Sequence, residues 1–468
     1  MPQKILEEFY LKNNFSVRPN GSQGLWALFL LPITLIVSSL SHPIILTPTY
    51  KLTTVIAFAL LCNSVYVVVK CLNNERLKII NVWMLIIAFI TGCLFNVWLQ
   101  KGWGFAIASG LGCSVFFLKC FKFLLGTLTE SFTLGEAGLT AQGLTLFIYS
   151  TVLNLNNPNL LRSNMQISTV IIQIGLLGII TLAYVLYKFN IRQPKAFYLT
   201  AIVTLTITII VPLHVILGQS PVLWIFGQVL GDVLLLKLFA YWTLCIAVAI
   251  LAVSNQIYYA KRASTSTRKV FHVLAVLVYV PGLYFRCSFL YLASGVVLGV
   301  FFVLEILRLL SIPPLGSRLQ DGYIVFSDDK DTGLLALTPI YLLVGISLPI
   351  WLHPSPCDVT DSAQFGLLPL LSGLLSIGIG DTSASYIGSN FGKFKWKDSL
   401  KTIEGTLGCV LSQLGFVYLL FYLGVLWFLT FEHVIRIVIA VIVGSLVEAK
   451  TTQIDNLVLP LVMYIILV

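Results

Sequence analysis

The chain has 468 residues, 58% of them hydrophobic and 10% charged, with a formal net charge of +10. Soluble domains carry about 25% charged residues, so composition excludes a soluble globule. The basic excess lies between apolar runs, where membrane topology accounts for it and nucleic acid need not be invoked as a partner.

Residues 1–24 form a polar N-terminal tail, and no A-x-A-like cleavage site follows the first apolar run, so no removable leader is expected. A helix that crosses a bilayer needs about 20 apolar residues. Fifteen apolar segments follow the tail, at 25–40, 52–69, 79–99, 103–118, 139–152, 166–187, 196–217, 234–253, 270–287, 288–310, 333–352, 365–380, 406–428, 434–447 and 456–468. They predict an all-α, polytopic membrane protein of about 13–15 transmembrane helices. The 139–152 and 434–447 runs are short enough to be re-entrant or tilted. Pro221 can open an extra half-helix, since Gly231 and Asp232 interrupt the run that follows. No repeat of fixed period is visible, which weighs against an inverted-repeat transporter. The nine cysteines lie mostly inside apolar runs and form no C-x-x-C pair. They are read as buried free thiols, with neither a disulfide framework nor a zinc site.

When alternate loops are assigned to opposite sides, the side of the N-terminus collects 22 of the 29 Lys and Arg, the other side four (Lys51, Lys101, Arg162, Arg286), and the spans three. The positive-inside rule then makes the N-terminal side cytoplasmic. Parity places Arg268 and Lys269, the 311–332 loop, residues 381–405 and the 448–456 loop on that same side. Two sequons, Asn14-Phe-Ser and Asn20-Gly-Ser, lie in the tail and are expected to stay unglycosylated.

Charges within spans need partners. Glu305 and Arg308, spaced i,i+3, are expected to pair on one helix face, whereas Asp232 and Lys237 are five apart and do not share a face. Glu130 and Glu136 fall in a weakly amphipathic stretch, SFTLGEAGLTAQ, for which the sequence offers no physical account.

The segment at 380–406, GDTSASYIGSNFGKFKWKDSLKTIEGT, is a polar, glycine-broken island between apolar runs. Phosphoryl transfer needs a divalent cation, cationic groups around the phosphates and a base for the acceptor hydroxyl. Asp381 and Asp455 are candidate ligands for a cation such as Mg²⁺, which takes oxygen donors. Lys393 and Lys401 can neutralise phosphate oxygens, and Gly378, Gly380, Gly388 and Gly392 allow backbone N–H groups close approach. Glu404 can act as base or second metal ligand. A plainer reading stands beside this one: the lysines serve as topological anchors, and Gly388 and Gly392 form a helix-packing G-x-x-x-G. His272, one turn beyond Arg268 and Lys269, is either a phosphate contact or a packing histidine. A P-loop is disfavoured, because GSNFGKF at 388–394 is one residue short between its glycines and has Phe394 where the hydroxyl belongs.

GDTSASYIGSNFGKFKW, KTIEGT, Glu448 with QIDNLVLPL, STRKVFHVL around Arg268, and SFTLGEA at 131–137 together resemble the dolichol kinase family, in blocks scattered over about 130–460. The G-D…S…K spacing and the late D-N pair are more loosely similar to membrane CDP-diacylglycerol synthases. The first resemblance implies an endoplasmic reticulum enzyme that moves a phosphoryl group from CTP to the terminal hydroxyl of dolichol with a divalent metal, making dolichyl phosphate for protein glycosylation. It implies an N-terminal transmembrane bundle at 25–260 and a C-terminal catalytic domain at 261–468 with a cytoplasmic-face CTP-binding loop at 380–406. The implied catalytic residues are Asp381, Lys401, Glu404 and Asp455, with Asp381 and Asp455 on the metal. Implied CTP contacts are Gly380, Ser385, Gly388, Gly392, Lys393, Thr402, Gly405, Arg268, Lys269, His272 and Asn456. The rivals are a related CTP-dependent lipid kinase or cytidylyltransferase and, more remotely, a non-enzymatic transporter.

Overall fold

Helix starts are written locally in the sequence. Thr47, Asn81, Thr133, Ser163, Asp232, Ser264 and Thr402 each accept a hydrogen bond from a backbone N–H of the first turn they precede, which satisfies a donor that the helix itself cannot. The computed structural model describes residues 3–19, 22–156, 163–259, 263–327, 331, 333–358, 360–363, 366–397, 399, 401–427, 430–451 and 455–468, so the Asn20 sequon lies outside the described residues. Among these the fold is helical throughout, with one isolated bridge between Lys395 and Thr402.

Each of the fifteen apolar segments contains a helix or a run of helices among the described residues. Nine helices are long and apolar enough to cross a membrane among the described residues. The two short runs are full helices, Leu134–Leu155 and Phe431–Lys450. Pro221–Gly231 is the half-helix that Pro221 announced, ended by Asp232, which caps Val233–Tyr258. The tail is itself ordered: helix Gln3–Asn13 buries Phe9 completely.

The main core joins the two ends of the chain. Leu28, Leu31, Ile56, Leu60, Phe117 and Phe121 pack with Leu337, Tyr341, Leu457 and Leu461. The hydroxyl contact between Ser38 and Tyr464 (3.1 Å) and the Tyr50 bond to the Leu352 carbonyl (2.6 Å) tie the same helices. Glu136 now has a physical account. It closes a capping box with Thr133 and forms a buried pair with Arg18 of the tail, Nη2 to Oε1 2.5 Å. Glu305 and Arg308 pair as expected at 2.7 Å, and Arg308 also donates to Gln320 and to the Leu334 carbonyl. Asp232 pairs with Arg286, not with Lys237.

The cysteine reading needs a correction. Seven cysteines are free, but Cys287 and Cys357 form a disulfide. Cys287 opens helix Cys287–Leu309, and the loop after Leu352 folds back over it. There Asp361 accepts from the backbone N–H of Ser288 at 2.9 Å, and its own carbonyl accepts from Cys287 N–H. The pair is 70 residues apart, so no local spacing betrays it.

The island is also not a single loop. The chain passes through Leu367–Leu370, a π-helical stretch Leu374–Asp381 and helix Thr382–Phe391, turns over 392–402, and re-enters helix Ile403–Tyr422. Polarity outside a core does not forbid helix, and among the described residues of the island only those between Phe391 and Ile403 leave it.

Candidate active site

Asp381 is the last residue of the π-helical stretch, a wide turn of a kind that recurs at functional sites. Two glycines let its neighbours come close. A Cβ on Gly378 would sit 2.4 Å from Val276 Cγ2, and one on Gly380 would meet Gln413 Nε2 at 2.6 Å and Cys409 Sγ at 3.0 Å. These glycines bring helices Thr265–Phe285 and Ile403–Tyr422 against the backbone that carries Asp381. Lys269 and His272, three apart on Thr265–Phe285, share the facing side. Lys269 Nζ forms an ion pair with Asp381 Oδ2, and His272 Nε2 stands 3.5 Å from the same oxygen. Asp381 and His272 are both buried, at 7% and 6% exposure.

Glu448 and Asp455 come from the end of Phe431–Lys450 and the start of Asp455–Leu467. One carboxylate oxygen from each of Asp381, Glu448 and Asp455 lies within 4.8 Å of the others. Lys401 enters from the turn, its ammonium 2.6 Å from Glu448 Oε1 and 3.6 Å from Asp455 Oδ2. Burial opposes the ammonium form of Lys401. The charges of Asp455 and Glu448 outweigh it and hold the pKa above the ordinary lysine value. Beneath the cluster, Gln413 donates to Ser445 Oγ at 3.3 Å, a polar floor between two helices. Three carboxylates thus face two lysines and a histidine at one end of the bundle.

The 392–402 turn is braced from inside. Trp396 N–H donates to the Lys401 carbonyl at 3.0 Å and Ile403 N–H to the Phe394 carbonyl at 2.8 Å. The Trp396 indole N–H donates to Thr406 Oγ1 at 2.9 Å. Lys393, Lys395 and Lys397 stand exposed on it.

The structure therefore brings together Asp381, Lys269, His272, Lys401 and Asp455. Glu404 turns back on the hairpin instead, accepting from Phe394 N–H at 3.1 and 3.2 Å. Thr402 caps its helix through Gly405 N–H. Gly388 and Gly405 mark a close helix crossing, where a Cβ on Gly405 would lie 2.9 Å from the Ala384 carbonyl. A Cβ on Gly392 would lie 2.3 Å from the Gly388 carbonyl. Ser385 and Arg268 are half-buried, Arg268 one turn before His272, and Asn456 is buried beside Asp455. Glu448 was assigned no role from sequence. Its signal is a carboxylate at the end of an apolar run, seven residues before Asp455.

Chemically, the carboxylate oxygens suit a hard cation. The two paired lysines supply positive charge that preorganises the site for an anionic substrate. Nδ1 of His272 is buried without a hydrogen-bond partner among the described residues, while its Nε2 faces Asp381 Oδ2.

Comparisons with known proteins agree with one another. A family model described as dolichol kinase matches residues 111–341. A dolichol kinase of Mus musculus is 36% identical over 361 residues, covering 74% of this chain and 66% of that protein, just short of two thirds of its length. One from Arabidopsis thaliana is 35% identical over 253 residues, 53% of this chain and 43% of the relative. One from Schizosaccharomyces pombe is 27% identical over 399 residues, 80% and 78% of the two chains. No solved structure matches.

Proposed function

The chain belongs to the dolichol kinase family, and on that premise we propose that it transfers the terminal phosphoryl group of CTP to the hydroxyl of dolichol. The convergence of Asp381, Glu448 and Asp455 with Lys269 and Lys401 carries this reading, because it supplies metal ligands and phosphate-neutralising cations in one place. In the step, the dolichol oxygen forms a bond to the terminal phosphorus and the bond from that phosphorus to the bridging oxygen breaks. CDP leaves, and the hydroxyl proton passes to a carboxylate. Asp455 takes that role in preference to Glu404, whose carboxylate is engaged with the Phe394 N–H. Asp381 and Asp455, joined by Glu448, would hold the divalent cation. Lys401 and Lys269 orient the phosphates and stabilise the charge that spreads over them in transfer.

The lysine and arginine count supports a cytosolic orientation of the site. The disulfide lies at the opposite end of helix Thr265–Phe285 from Lys269 and His272, as a bond formed in an oxidising lumen should. On this reading the protein lies in the endoplasmic reticulum membrane with its site toward the cytoplasm.

The test is the purified chain with CTP or ATP and a panel of lipid alcohols. Dolichyl phosphate and CDP are expected. A CDP-lipid with release of pyrophosphate would instead make it a cytidylyltransferase. Asp381→Ala should lower turnover by about 10²-fold or more while membrane insertion is kept, and full turnover by that variant would sink the assignment.

A further inference from the structure

A groove of about 430 Å³ runs between the Leu25–Phe29 turn and helix Phe431–Lys450. Ser22 and Trp26 line it from one element, and Val443, Leu446, Val447, Lys450 and Thr451 from the other. We infer that this groove seats the first isoprene units of the acceptor alcohol. The inference rests on the kinase reading.

Positions 443, 446, 447 and 450 share one face, whereas Glu448 lies on the neighbouring face and turns inward to the carboxylate cluster. Groove and cluster therefore flank the same last turns of one helix. Toward the other end of that helix, Ile435, Ile439 and Ile442 continue the exposed face that Leu446 begins, a stripe suited to lipid. The groove is thus open to the bilayer at one end and polar at the other. At the polar end Lys450 lies 5.9 Å from the centroid of the Trp396 ring. Trp396 belongs to the same turn as Lys401, which touches Glu448 and Asp455. An occupant that satisfies both ends has an apolar chain and a small polar head. A nucleotide does not fit that description, and an isoprenoid alcohol does. The volume falls within the range of about 300–1,000 Å³ typical of ligand sites. It accommodates the head of a long lipid and leaves the remainder in the membrane.

Two measurements on the full chain in phospholipid vesicles test the seat. A polyisoprenoid alcohol with a diazirine in its units nearest the hydroxyl should crosslink to Trp26, Val443, Leu446 or Val447, and excess dolichol should suppress the adducts. Leu446→Trp, which fills the groove, should raise the KM for dolichol by about tenfold and leave the KM for CTP unchanged. Crosslinks confined to other helices, or adducts that excess phospholipid suppresses as well as dolichol does, would overturn the inference; the latter marks an acyl-chain site. So would an unchanged KM for dolichol in a Leu446→Trp protein that still turns over. The crosslink needs no CTP. Failure of the native chain to phosphorylate any alcohol therefore counts against the kinase reading alone, and dolichol-competed adducts would still support the seat.

Discussion

Glu448 and Glu404 pose the sharpest contrast at the level of single side chains. Both were within reach of a sequence reading, and both lie near the 392–402 turn. Glu448 is buried, 2.6 Å from the Lys401 ammonium, and faces Asp381 and Asp455. Glu404 braces a backbone N–H of an exposed turn. Removing the charge of Glu448 leaves Lys401 with fewer carboxylate neighbours in a buried setting and takes one oxygen from the proposed cation site. Glu448→Gln is therefore expected to lower turnover by about 10²-fold and to weaken divalent-metal binding measured by calorimetry in the absence of CTP. Glu404→Gln keeps an acceptor for Phe394 N–H. At most a small fall in thermal stability is expected, with activity largely retained. Equal damage from the two substitutions would show that the buried cluster is not where the chemistry lies.

Glycines let the elements that carry these side chains approach closely. A Cβ on Gly345 of Leu337–Leu352 would lie 1.7 Å from the Asn456 carbonyl oxygen and 2.9 Å from Ile377 Cδ1. That crossing fixes the first turn of Asp455–Leu467, which carries Asp455, against the π-helical stretch that ends in Asp381. Gly345→Ala must push these backbones apart. Overpacking of this kind costs about 1–3 kcal/mol, and here the displaced backbone bears a site residue. We expect a lowered unfolding temperature in detergent together with a loss of turnover out of proportion to it. A fully active, undestabilised Gly345→Ala protein would mean that the crossing is looser than it is drawn. Such crossings explain what was legible in the sequence. Apolar runs and caps are local signals, and all fifteen segments could be read from them. Gly378, Gly388 and Gly405 were visible as glycines, but whether a glycine meets a phosphate or another helix depends on a partner distant in sequence. The same holds for Cys287 with Cys357, for Arg18 with Glu136, and for Glu448, whose meaning arises only once Asp381 and Asp455 are beside it.

At the scale of the whole molecule the two ends of the bundle differ chemically, and that difference makes its orientation testable. One end collects Lys269, His272, Asp381, Lys401, Glu448, Asp455 and the exposed lysines of the 392–402 turn. The other holds the Cys287–Cys357 disulfide and the Asp232–Arg286 pair. A disulfide persists on an oxidising side, and lysine-rich loops stay on the cytoplasmic side, so two independent rules support the proposed orientation. Asn14 belongs to the lysine-rich end: its neighbour Ser16 donates its backbone N–H to the Leu125 carbonyl at 2.9 Å. A glycosylation sequon inserted in the loop that carries Cys357 should therefore acquire a glycan in microsomes. A sequon inserted among Lys393, Lys395 and Lys397 should not, and neither should Asn14. Membrane-permeant maleimide should label Cys287 and Cys357 only after reduction. Glycan on the lysine turn would put the carboxylate cluster on the wrong side of the membrane for a cytosolic nucleotide, and with it the direction from which CTP is supposed to reach Lys401.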